Sequence, residues 1–66
     1  MPNVNIFIER ENIKKRLNAK SIEDIMKKFK INPEVVLIAK NNELVTKNAK
    51  IKENDDIKFI SVISGG

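Results

Sequence analysis

No cysteine, histidine, tryptophan or tyrosine occurs in these 66 residues. Without cysteine there is no disulfide framework, no thiolate-held zinc or iron–sulfur site and no thiol nucleophile, which suits a reducing compartment. Without histidine the side chain most often used to move protons near neutral pH is missing, and neither Ser21 nor Ser61 has an imidazole to activate it. Glycine is confined to positions 65 and 66, so no glycine-rich phosphate loop precedes the terminus. These absences argue against a self-contained enzyme. The longest apolar run, Val35-Val36-Leu37-Ile38-Ala39, falls far short of the roughly 20 residues of a spanning helix. Met1 to Asn5 lacks the basic and apolar regions of a signal peptide. The expectation is a cytoplasmic protein with no membrane partner, monomeric when alone.

What is present reads as one small α+β domain. Val4, Ile6 and Ile8 alternate with Asn5, Phe7 and Glu9, the period of a strand with one buried face. After the polar residues 9–12, Ile13 and Leu17 share a face on a second strand over 13–18. Lys15 interrupts that face, which an edge position tolerates because its stem can lie on apolar surface. Ile22, Ile25, Met26 and Phe29 then form an i, i+3, i+4, i+7 stripe behind Ser21, a good N-cap, and Asn32-Pro33 is the expected stop. Val35 to Lys40 reads as a strand covered on both faces or near the sheet centre. Asn41-Asn42 suits a tight hairpin into a short strand from Glu43. Residues 47–52 read as an irregular stretch anchored by Ala49 and Ile51. An acidic turn, 53–56, leads into a last strand with Ile57, Phe59 and Ser61 on one face and Lys58, Ile60 and Val62 on the other. The order β-β-α-β-β-β predicts a mixed sheet of four to five strands with one helix packed on one face, the first strand lying parallel beside either the last strand or the strand after the helix. The β-grasp arrangement, with terminal strands central and parallel, satisfies this. Residues 61–66 read as an extended, flexible tail on this single domain.

Sites for chemistry are few. Glu53, Asp55 and Asp56 could hold a cation only with many more oxygens, and the turn has no glycine, so it reads as a polar turn and no metal site is expected. Lys14-Lys15-Arg16 and Lys27-Lys28 could meet phosphates. The three aromatics, Phe7, Phe29 and Phe59, are each assigned to the core, which argues against a nucleic-acid partner. The terminus is different. Ile60, Val62 and Ile63 precede Ser64-Gly65-Gly66. Glycine has no Cβ, so a Gly-Gly end can thread a narrow channel and present its carboxylate to a partner. The apolar residues before it suit a docking strip.

This chain resembles, over essentially its whole length, the ubiquitin-like β-grasp sulfur carriers of the ThiS and MoaD type. Residues 35–45 resemble that family's strand–turn–strand, where Asn-Gly-Glu is common at the turn. Residues 54–60 resemble its Asp-Gly-Asp-x-Ile segment, with asparagine and aspartate in place of the glycine, and Gly65-Gly66 is its defining motif. The resemblance implies a protein co-substrate rather than an enzyme. A separate E1-like adenylating enzyme, which supplies the ATP and magnesium site, would adenylate the Gly66 carboxylate. Sulfur transfer from a sulfur donor would then give a thiocarboxylate, delivered to an acceptor enzyme: thiazole synthase, the large subunit of molybdopterin synthase or a tRNA thiolase. Gly65 and Ser64 would thread the enzyme while Ile60, Val62 and Ile63 dock on it, and the chain itself would bind no cofactor. Two other readings stay open at this point: a ubiquitin-like modifier joined to lysines through Gly66, and an RNA-binding module resembling the TGS domain that uses the basic residues 14–16.

Overall fold

The computed structural model describes residues 1–61. β1 (Asn3–Ile8) is followed by a 3-10 turn (Glu9–Glu11) and β2 (Ile13–Asn18). α1 (Ile22–Lys28), β3 (Val36–Lys40), β4 (Glu43–Val45) and β5 (Asp56–Ser61) complete the chain. The five strands form one sheet in the order β2-β1-β5-β3-β4, with β1 and β5 parallel at its centre and every other pair antiparallel. β2 is an edge strand, so Lys15 sits where the sequence tolerates it.

One face of the sheet packs against α1. Val4, Ile6 and Ile8 of β1, Ile38 of β3, and Ile57 and Phe59 of β5 share a buried cluster with Ile22, Ile25 and Met26 of the helix. Phe29, Ile31, Ala49 and Ile51 pack on its margin, so the irregular stretch between β4 and β5 closes the core through the two anchors expected. The helix begins as its sequence predicts: Ser21 Oγ accepts the Asp24 backbone N–H at 3.1 Å.

It ends earlier than the proline signal predicts. The last helical residue is Lys28, and Lys30 turns left-handed at φ 56°. Ile31 N–H then donates to Met26 C=O at 2.8 Å and Lys30 N–H to Lys27 C=O at 3.3 Å, the two bonds of a Schellman cap. Glycine is the usual residue at that position, and a side chain there costs on the order of 1–2 kcal/mol. Lys30→Gly should therefore raise stability by about 0.5–1 kcal/mol after glycine's greater unfolded-state entropy is deducted. A higher midpoint in urea unfolding checks this; a lower one would show that the lysine stem contributes more than its backbone strain.

Asparagine takes the other left-handed positions, Asn12, Asn41, Asn42 and Asn54. Asn41 and Asn42 are the two loop residues between the paired Lys40 and Glu43, both with positive φ, as a tight type I′ hairpin requires. Asn54 occupies the turn that leads into β5. The glycines missing from the two family-like turns are thus replaced by the residue that tolerates their backbone best.

Two further expectations are corrected. β3 lies beside the central strand, one of its two readings, but is not covered on both faces: Leu37 is 45% exposed, because among the described residues no layer lies over the sheet opposite α1. Phe7 is not a core residue. It shares the parity of Asn5, its neighbours Ile6 and Ile8 take the core positions, and its ring lies on the open face.

Candidate functional site

β5 runs through the middle of the sheet and brings Ser61 beside Val36, at the start of β3. Ser61, which the sequence reading placed both on the last strand and at the start of the tail, is the last residue of that strand. Ile60 lies on the open face as the register partner of Leu37. The remaining expected site residues, Val62, Ile63, Ser64, Gly65 and Gly66, lie outside the described residues.

The open face is organised in rows. Leu44, Ala39, Lys58, Phe7 and Lys14 align across all five strands, each paired in register with the next. The neighbouring row toward Ser61 carries Leu37 and Ile60. On the other side Arg16, Asn5 and Asp56 align. The β3–β4 half of the face is apolar, with Leu44 66% exposed beside the exposed Leu37. The β1–β2 half is cationic. Lys14 Nζ and Lys58 Nζ stand 5.7 and 5.8 Å from the centroid of the Phe7 ring, within cation–π range. A shallow concavity of about 690 Å³ lies there, lined among others by Asn5, Phe7, Lys14, Arg16, Asp56 and Lys58. Arg16 is held in place, its guanidinium donating to Asn5 Oδ1 at 3.1 Å and to Asn54 Oδ1 at 2.6 Å, with Glu53 at 3.5 Å.

The turn before β5 fixes where the strand starts. Glu53 accepts from Asn3 twice, from its backbone N–H at 2.8 Å and its side-chain amide at 3.2 Å. Asp55 is buried and accepts from Asn41 Nδ2 at 3.0 Å and from Lys52 N–H at 2.7 Å. Asn41 also accepts from Asp56 N–H at 3.0 Å and donates its own N–H to Asp56 C=O at 2.8 Å, locking the β3–β4 hairpin to this turn. Asp55, read from the sequence as part of a polar turn, is thus a structural acceptor. Among the described residues no cluster of three or more metal-ligating side chains exists. The Asn41 bond, followed by the Lys52 N–H, holds the Asp55 carboxyl below its ordinary value of 3.8. Hydrogen bonds from Asn3, first its backbone and then its side chain, lower Glu53 likewise.

A group with a depressed folded pKa adds stability above its unfolded pKa and loses it as pH falls through the folded one. Asp55→Ala should therefore cost about 1–3 kcal/mol at neutral pH, the worth of its two hydrogen bonds and the donors left behind. The gap from wild type should narrow once the pH falls below the aspartate's ordinary 3.8. Urea unfolding at pH 7 and pH 3 measures both.

The sequence reading named Ile60, which the structure places on the open face beside Leu37, and did not single out Leu37, Leu44 or the Phe7–lysine group. The parity of Phe7 with Asn5 was the available signal. For Leu37 a continuous apolar run gives no parity to read.

Among the described residues, a five-stranded mixed sheet with parallel central terminal strands and one helix on one face defines a ubiquitin-like β-grasp protein. The chain belongs to the ThiS family, which matches residues 4–66. It is 29% identical over 58 residues to the sulfur carrier protein TtuB of Thermus thermophilus, covering 88% of each chain. Its fold is similar to a chain in the complex of subunits 1 and 2 of the molybdopterin-converting factor from Helicobacter pylori 26695, with a TM-score of 0.75, 97% of this chain and 99% of that one covered, and 18% identity. No helix among the described residues is long and apolar enough to cross a membrane.

Proposed function

We propose that this protein is a sulfur carrier whose reactive group is the Gly66 carboxylate. The observation that carries the reading is the family match, which extends through residue 66 and so takes in the Gly65-Gly66 pair. The likeness to a curated sulfur carrier over most of both chains supports it. A carboxylate oxygen of Gly66 attacks the α-phosphorus of ATP on a partner enzyme, and pyrophosphate leaves. A hydrosulfide-level sulfur then adds to the acyl carbon, AMP leaves, and the terminus becomes a thiocarboxylate. ATP and magnesium belong to the partner. This chain contributes the terminus and the surface that positions it. The thiocarboxylate is the donor for an acceptor of the family's range: thiazole, molybdopterin or tRNA.

The apolar half of the open face, Leu37, Leu44 and Ile60, is the docking surface nearest the end of β5. Burying one such leucine against a partner contributes about 1.5–3 kcal/mol. Leu37→Asp and Leu44→Asp should each raise the KM of ATP–pyrophosphate exchange by the host's adenylating enzyme roughly 10-fold or more. Both side chains are already exposed, so the circular dichroism and melting of the free protein should be unchanged. Exchange that proceeds with wild-type KM in both variants would remove this face from the reading.

A further inference from the structure

The cationic half of the open face is not explained by the fold. Lysines on an edge strand are a common device against edge-to-edge aggregation, which accounts for Lys14 on β2. It does not account for Lys58, which lies on β5 at the centre of the sheet, flanked on both sides by paired strands. A solvated face admits a lysine there, but the two neighbours of Lys58 in its row are Ala39 and Phe7. The sole ion pair among the described residues joins Arg16 to Glu53. The row's two ammonium groups therefore have no carboxylate partner there, and the Phe7 ring between them gathers both within 6 Å of its centroid. Asp56, the acid on this face, accepts a hydrogen bond from Asn5 at 2.9 Å.

We propose that Lys14 and Lys58, gathered on the Phe7 ring, form a carboxylate-recognition pair that selects an acidic patch on the adenylating enzyme. The inference rests on the sulfur-carrier reading and adds to it the chemistry of the partner's contact surface. Two ammonium groups partly ordered by a ring lose less side-chain freedom on pairing than two free lysines. They adjoin Ala39 and Leu44 in one continuous row, so the surface that covers them presents carboxylates beside an apolar ridge. That combination fits a protein surface better than a nucleic-acid backbone, which offers phosphates but nothing for Leu37 and Leu44. Charge on this half of the face governs encounter and orientation, while the tail carries the chemistry.

The experiment is ATP–pyrophosphate exchange by the host's adenylating enzyme with the full-length protein. Three proteins are compared: wild type, Lys14→Glu/Lys58→Glu, and a charge-matched control, Lys20→Glu/Lys50→Glu, reversed at two exposed connection residues. The open-face variant should show a KM raised at least about 10-fold with kcat unchanged, and the control should match wild type. The wild-type KM should also rise with added sodium chloride as exposed charges are screened, and that of the open-face variant should not. Equal KM values for the open-face variant and wild type would overturn the proposal. An equal rise in the control would show that net charge acts rather than this pair, and would overturn it too. Binding of bulk host tRNA that the open-face variant loses, with exchange unaffected, would assign the lysines to nucleic acid instead. No exchange with wild type under any condition removes the sulfur-carrier reading itself, and this inference with it. Normal exchange with an indifferent open-face variant removes only this inference.

Discussion

Deleting Gly66 should leave a folded protein that the proposed adenylating enzyme no longer activates. Among the described residues every buried core residue lies between Val4 and Phe59, so losing Gly66 removes none of that cluster. The deletion does shift the carboxylate. One extended residue spans about 3.3–3.6 Å, and a misplacement of even about 1 Å at a reacting centre can cost 10²-fold in rate. Exchange should fall by at least about 10²-fold, with the melting temperature unchanged. Adding one alanine after Gly66 should do the same by overshooting the site. A shortened chain that is activated normally would mean that the reactive carboxyl is not that of Gly66.

Phe59→Ala should unfold most of the protein at room temperature. Phe59 is the largest fully buried side chain and lies on the central strand, 1% exposed among Ile8, Ile38 and the helix residues. Removing a buried phenylalanine costs about 3–5 kcal/mol, and one core of this size supplies about 3–5 kcal/mol in all. Ile25→Val at an equally buried position, with a cost of about 0.5–1.5 kcal/mol, should remain folded. Urea unfolding of the two variants beside wild type separates the cases. A folded Phe59→Ala protein with a clear cooperative transition would mean that the core rests on the helix more than on the sheet.

The parts of the fold legible in the sequence are those where periodicity and position agree. The Ile22, Ile25, Met26 stripe and the Ser21 cap placed the helix start. The alternation of Val4, Ile6 and Ile8 placed the buried face of β1, and Lys15 marked β2 as an edge. The helix end was displaced because Pro33 is the visible stop signal, whereas the chain turns at Lys30, a lysine in a glycine's conformation. Asp55 stayed hidden because a run of Glu53, Asn54, Asp55 and Asp56 does not reveal which carboxylate turns inward. Only the approach of Asn41 from a different hairpin decides that. The exposure of Leu37 and Leu44 depends on which face α1 leaves open, a property of the assembled sheet. The proposed reactive terminus drew notice for the opposite reason. A chain with glycine at just two positions places both at 65 and 66, and no packing is needed to notice it.

On the sulfur-carrier reading the Gly66 carboxylate is chemically converted. Mass spectrometry of the C-terminal peptide tests this, after incubation with the host's adenylating enzyme, ATP and a sulfide source. The expected result is the mass gain of one oxygen replaced by one sulfur, confined to the peptide that contains Gly66, dependent on ATP and reversed by hydrolysis. A C-terminal peptide of unaltered mass under activation conditions that modify a known ThiS-family carrier would contradict it.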